Sequence, residues 1–131
     1  MSYIHKIRVR YAECDRMGFV HHSVYALYFE EARTEYLRSK GVTYKSMEDL
    51  GIIMPVRSMS FNFKKAAIYD DLLNIEVSIV GETKVRCCFE YKVTNQSGQF
   101  LSDAVTELFF VDKKTMRPIR LPDDYKILLG M

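Results

Sequence analysis

The sequence contains no tryptophan, and only three cysteines, three prolines and six glycines among its 131 residues. The cysteines, Cys14, Cys87 and Cys88, are odd in number and two are adjacent. Neighbouring residues on a strand point to opposite faces and rarely bridge each other, so a secreted disulfide framework is excluded. No apolar run approaches the ~18 residues of a membrane span. The opening residues carry Lys6 and Arg8 where a signal peptide would need its apolar segment. The expectation is a soluble, cytoplasmic protein with no membrane span.

Charge of one sign is lacking too. Nineteen basic residues stand against 17 acidic ones, a net charge of +2, and the two signs are interspersed along the chain. Nothing resembles the basic stripe that tracks phosphates, so nucleic acid is an unexpected partner. There is no glycine-rich phosphate loop, paired CxxC, HExxH or GxSxG. No metal or other cofactor is therefore expected.

Apolar and aromatic residues are plentiful, at 48% and 13%. A chain of this length buries roughly 65–70% of the surface that its unfolded form exposes. We expect one domain, 1–131. Ile7, Val9 and Tyr11 alternate with Arg8 and Arg10, which predicts a strand over 3–11. Residues 12–22 read as a loop. Tyr25, Tyr28, Phe29, Ala32 and Tyr36 then fall at helical spacing, predicting a helix over 23–40 closed by Gly41. A short helix over 44–50 follows.

Thereafter the period is two. Arg57, Met59, Phe61 and Phe63 form one alternating set, Leu73 to Ile79 a second, and Val85 to Val93 a third. Hairpin turns are predicted at 80–83 and 95–98, with a last long strand over 100–111. A helical turn is expected around 124–129. The fold class is α+β, an antiparallel sheet wrapped round one long helix.

Chemistry concentrates between the first strand and the helix. Tyr11-Ala12-Glu13-Cys14-Asp15-Arg16-Met17-Gly18-Phe19-Val20-His21-His22-Ser23 collects carboxylates, a thiol, two histidines and a tyrosine before a helix N-terminus. Such a terminus presents unpaired N–H groups and a partial positive charge. Each residue also has an ordinary explanation. Asp-x-x-Gly is turn chemistry, and Ser23 reads as an N-cap. Adjacent histidines diverge in direction, so His21 and His22 make a poor metal site. Cys14 is either a thiol nucleophile with His22 as its base or an inert small residue. Residue types and spacing leave these readings open.

The string Tyr11, Asp15, Gly18, Val20, His22, Tyr25, Phe29-Glu30, Ala32-Arg33 and Glu35 closely resembles the opening signature of the hotdog-fold acyl-CoA thioesterases. The nearest branch by likeness is the 4-hydroxybenzoyl-CoA thioesterase type, including the Tol-Pal-associated bacterial enzymes. The likeness continues through Phe63-Lys64-Lys65-Ala66-Ala67-Ile68-Tyr69-Asp70-Asp71 and Met116-Arg117-Pro118. Glu13-Cys14 and Arg16-Met17 depart from that family's usual residues.

The resemblance implies hydrolysis of acyl-CoA, with Asp15 as nucleophile or general base and Tyr11 and His22 beside it. It also implies that the amide around His22 polarises the thioester carbonyl. A homodimer or homotetramer joined sheet edge to sheet edge, with sites shared between subunits, follows from the same likeness. Acyl-acyl carrier protein esters, or acyl-CoA binding without catalysis, are the alternatives. Glu30 and Glu31 are the alternative carboxylates, unless Glu30 merely pairs with Arg33. Arg57, Lys64, Lys65, Arg86 and Arg120 are candidate phosphate contacts, and Met17, Phe19, Met54, Met59 and Phe61 candidate pocket residues.

Overall fold

The computed structural model describes residues 2–131. In chain order the elements are β1 (Ser2–Arg8), a 3-10 turn (Tyr11–Glu13), α1 (His22–Ser39), α2 (Tyr44–Asp49), β2 (Ile52–Ile53) and β3 (Val56–Phe63). β4 (Leu72–Glu82), β5 (Arg86–Thr94), β6 (Phe100–Phe109), β7 (Val111–Asp112) and α3 (Asp123–Leu129) complete the chain. Five strands form one antiparallel sheet in the order β1-β4-β5-β6-β3, and β2 pairs with β7 apart from it. The class is α+β, as the sequence pattern indicates.

Helix α1 is defined by what it buries. Tyr25, Tyr28, Phe29, Ala32, Arg33, Tyr36 and Leu37 turn inward, whereas Leu27 is 65% exposed. Phe29 stacks on Tyr91 of β5 with ring centroids 4.6 Å apart, and Tyr36 meets Phe89 edge-on at 6.2 Å. Such pairs add to the large apolar area that each ring removes from water. Two further rings, Phe61 and Phe63 of β3, pack on Phe29 and Tyr25. The helix is thereby seated on the sheet by side chains from β3 and β5 together.

Arg33 sits in this core at 4% exposure. Its Nε donates to the Tyr44 hydroxyl at 2.8 Å and its Nη1 to the Tyr91 hydroxyl at 3.0 Å. Burial draws its pKa down, but the Tyr91 and Tyr44 oxygens outweigh that and hold the guanidinium charged. Glu30 is not its partner, contrary to the i, i+3 pairing open in the sequence. Arg33 points into the core while Glu30 lies exposed.

Several boundaries differ from the periodic pattern. Strand β1 stops at Arg8, and Tyr11 enters the 3-10 turn, where it is 80% exposed. Arg57 leaves the Met59-Phe61-Phe63 face because a register shift falls between Val56 and Ser58. Its guanidinium instead reaches Glu107 at 3.6 Å and covers the Phe109 ring. The turn predicted at 80–83 comes later: β4 runs on to Glu82, with a bulge between Ile79 and Gly81, and the chain turns at 83–85. The turn at 95–98 forms as expected, with Asn95 Oδ1 accepting the Ser97 and Gln99 N–H groups.

The adjacent cysteines do face opposite ways. Cys87 is fully buried, and Cys88 lies 3.8 Å from a Glu107 carboxylate oxygen on the other face. Burial pushes the Cys87 thiol up to about 12, and burial followed by the Glu107 charge pushes Cys88 up as well.

Two outcomes follow from this packing. Phe29→Ala is expected to destabilise the fold by about 3–5 kcal/mol, the range for emptying a buried aromatic site. Leu27→Ala on the exposed side should change stability by less than about 0.5 kcal/mol. Urea titrations of both variants check the contrast. Alkylation by iodoacetamide followed by mass mapping should leave Cys87 unmodified in the folded protein and modify it on denaturation.

Candidate active site

Between β1 and α1 the chain makes a miniature hairpin. The Asp15 N–H donates to the Phe19 carbonyl at 2.8 Å, Cys14 bridges to Val20, and the His21 N–H donates to the Glu13 carbonyl at 3.0 Å. The tip closes by the Gly18 N–H donating to the Asp15 carbonyl at 3.0 Å. Gly18 has φ of 81°, a left-handed conformation that a side chain would strain, which is why glycine ends this turn.

Asp15 acts in that turn as its spacing suggests. Its Oδ1 accepts the Met17 N–H at 2.9 Å and the Phe19 N–H at 3.4 Å. Among the described residues no donor reaches Oδ2. One carboxylate oxygen therefore fixes the side chain while the other remains available to a reactant. The turn reading and the reactive reading are compatible, because they use different oxygens.

A second loop backs this one. The Val20 N–H donates to the Ala67 carbonyl at 2.9 Å, and Phe19 bridges to Ile68. Asp71, 6% exposed, stiffens that loop by accepting the Ile68 N–H on Oδ2 and the Gln96 amide on Oδ1. Tyr25 rises from α1 to line the same cleft as Asp15 and Ala66, its ring edge-on to Phe63 at 4.9 Å. Burial raises the Tyr25 phenol above its ordinary range, so it stays protonated.

Helix α1 begins at His22 and is capped by His21, not by the expected Ser23. His21 Nδ1 accepts the Ser23 N–H at 3.2 Å and lies 2.8 Å from the Ser23 hydroxyl. The Val24 N–H is taken by the His21 carbonyl at 2.9 Å. No acceptor among the described residues takes the His22 N–H. The first free donor of the helix thus stands at the position where the resemblance places the carbonyl-polarising group. The two imidazoles do not diverge as expected: their centroids are 4.2 Å apart.

Asp15 lies on the wall between two clefts. One, of about 280 Å³, is lined by Asp15, His22, Tyr25, Met17, Phe19 and Phe63, with Lys64 and Lys65 beside them. The other, of about 640 Å³, is lined by Tyr11, Cys14, Asp15, Arg16, Gly18 and Tyr69. Tyr11 and Tyr69 meet edge to face there at 5.5 Å. Asp15 is thus brought together with His22 on one side and with Tyr11 on the other, while Tyr11 and His22 share no cleft.

Other candidates fall elsewhere. Met17 and Phe19 line the smaller cleft, whereas Met54 and Phe61 pack against the core and Met59 lines neither cleft. Lys64 and Lys65 are at the cleft, but Arg57 and Arg86 are tied to Glu107. Glu31 is bound to His5 at 2.6 Å, and neither it nor Glu30 lines either cleft beside Asp15. Cys14 keeps its proton, since burial and then the Asp15 and Glu13 charges raise its pKa. It lines the cleft away from His22, the base expected for a thiol nucleophile. Phe63 was legible only as a strand residue, and the Phe63↔Ser102 pairing that sets it at the cleft is not visible along the chain.

Comparison with known proteins places the chain in a family. The family described as the thioesterase-like superfamily matches residues 9–129. An acyl-CoA thioesterase of Haemophilus influenzae is 31% identical over 121 residues, covering 92% of this chain and 88% of that protein. A chloroplast acyl-acyl carrier protein thioesterase of Arabidopsis thaliana is 27% identical, over 96% of this chain and 67% of that protein. The crystal structure of a DHNA-CoA thioesterase from Staphylococcus aureus superposes with a TM-score of 0.94 at 32% identity. It covers 98% of this chain and 89% of that one. With the family match spanning almost the whole sequence, the chain belongs to the thioesterase-like superfamily.

Proposed function

We propose that this chain hydrolyses acyl-CoA thioesters to the free acid and CoA, with Asp15 as the reacting carboxylate. The observation that carries the reading is the fixed Asp15 Oδ1, with Oδ2 bound by no donor among the described residues, in a residue that lines the same cleft as the start of α1. Thioester cleavage builds negative charge on the carbonyl oxygen. An N–H held at a helix N-terminus, where the helix dipole adds to it, is suited to that oxygen.

Asp15 then either attacks the carbonyl carbon, expelling the CoA thiolate and giving an anhydride that water hydrolyses to the free acid and Asp15, or takes a proton from a water that attacks the carbonyl directly. His22 contributes its backbone N–H and Tyr11 contacts the substrate from the other cleft. Lys64 and Lys65 are placed to meet a negatively charged leaving group. The thiolate is a good leaving group, so these residues suffice without a metal or other cofactor.

The finer reading is a hotdog arrangement over one domain, 1–131, with the sheet wrapped around α1 as its central helix. It is of the 4-hydroxybenzoyl-CoA type in its Tol-Pal-associated branch, located in the cytoplasm. Supporting the wrap, side chains of β1, β3 and β5 meet α1, and β4 runs beside it. The sheet leaves β1 and β3 as edges, and β3 exposes Val56, Met59 and Phe63. An edge of that kind invites pairing, which favours a homodimer or homotetramer joined there with sites at the interface. The Arabidopsis relative supports acyl-acyl carrier protein esters as a second substrate class.

A thiol-release assay over acyl-CoA and acyl-carrier esters tests the reading. Turnover of at least one CoA ester is expected, with Asp15→Asn slower by ~10²-fold or more. Full activity in Asp15→Asn would overturn the assignment of the carboxylate. Tight binding of acyl-CoA without turnover would instead identify a binding module.

A further inference from the structure

Glu13 is the most heavily bonded carboxylate near Asp15, and the chemistry above gives it no task. Its Oε1 accepts the Arg10 backbone N–H at 2.8 Å and the Tyr28 hydroxyl at 2.7 Å. Its Oε2 accepts Nε and Nη2 of Arg10 at 3.2 and 3.1 Å. The side chain is only 13% exposed, although it belongs to a surface loop. Its backbone carbonyl meanwhile holds the His21 N–H at 3.0 Å.

These bonds join three pieces of chain on one residue. Arg10 is the exit from β1, His21 is the cap of α1, and Tyr28 lies six residues into that helix, 4% exposed and fixed against Tyr25. The hairpin carrying Asp15 is therefore held to α1 twice through Glu13, by its carbonyl and by its carboxylate. Asp15 is two residues away on one side and the free His22 N–H is next to the cap on the other. The span between carboxylate and donor is set at this point.

The charged form is the one retained. Burial raises the Glu13 pKa, but the bonds from the Arg10 N–H, the Tyr28 hydroxyl and the Arg10 guanidinium outweigh it and leave it lowered. The clamp is thus in place above the ordinary glutamate range and is lost only as pH falls through the lowered value. A glutamine would keep one acceptor oxygen and lose the guanidinium bond.

We propose that Glu13 is a positioning residue for thioester hydrolysis, fixing the Asp15 hairpin against the first turn of α1 through Tyr28 and His21. The inference rests on the assignment of Asp15 made above. Misplacement of reacting groups by about 1 Å costs on the order of 10²-fold in rate, which sets the scale of the effect.

The test measures kcat and KM by thiol release on the acyl-CoA ester turned over fastest. The proteins are wild type, Glu13→Gln, Tyr28→Phe, Asp15→Asn and the Glu13→Gln/Asp15→Asn pair, each with its thermal midpoint. Glu13→Gln should lower kcat by about 10- to 10²-fold with KM changed less than about threefold. Tyr28→Phe, which removes one hydroxyl, should lower kcat in the same sense by a smaller factor. On the Asp15→Asn background, Glu13→Gln should cost less than about threefold, because it acts through Asp15.

Wild-type kcat in Glu13→Gln overturns the inference. So does an equal loss on both backgrounds, which would mean that Glu13 acts independently of Asp15. A rate loss that merely follows lost folded protein, with Tyr28→Phe unaffected, overturns it too. If Asp15→Asn is slow while Glu13→Gln is normal, only this inference fails. If Asp15→Asn is fully active, the assignment of the carboxylate fails and takes this inference with it.

Discussion

The seating of α1 on the sheet is the constraint from which the rest follows. Phe29 lies on Tyr91 from one side and meets Phe61 on the other, while Tyr36 packs on Phe89. These contacts fix both the depth and the rotation of the helix. Its first turn, and with it the unpartnered His22 N–H, is therefore aimed by the core and not by the loop that precedes it. A donor that must meet a developing charge cannot reorganise at that moment, and a helix anchored along its length supplies this rigidity.

The loop side of the site is built differently. Asp15 is held by short-range bonds to its own turn, and the turn is stitched to the loop at 66–71 through Val20 and Phe19, a loop that Asp71 stiffens from within. Rigid donor and fixed carboxylate are separate constructions that must meet in register. Glu13 and Tyr28 stand at the join, and their pairing across the helix–loop boundary is where the two halves are tied. The phenols of Tyr25 and Tyr28 are both raised, by burial first and in Tyr28 also by the Glu13 carboxylate, so both stay neutral, and Tyr28 donates to Glu13.

Much of the architecture was legible because period and burial coincide. The inward set of α1 and the alternation in β4 and β5 appear in the sequence as they appear in space, whereas β6 buries Ser102, Ala104, Thr106 and Leu108 and leaves Val105 37% exposed. What could not be read was local. Arg57 leaves its apolar face at a register shift, Gly81 continues a strand where glycine and polar neighbours suggest a turn, and His21 displaces Ser23 as cap. Bulges and caps depend on one or two hydrogen bonds, which no periodic pattern records. The site loop was visible through residue types alone. That Asp15 and His22 share a cleft with Phe63, Lys64 and Lys65 depends on contacts between distant segments.

The central claim is that the start of α1 polarises the thioester carbonyl beside Asp15. The most direct measurement is the infrared C=O stretch of a carbonyl-13C acyl-CoA bound to the slow Asp15→Asn variant. Hydrogen bonding from the helix N-terminus should bring the band below its frequency for the same ester free in water. A bound ester whose carbonyl stretch is unshifted, or moved upward, would contradict the account.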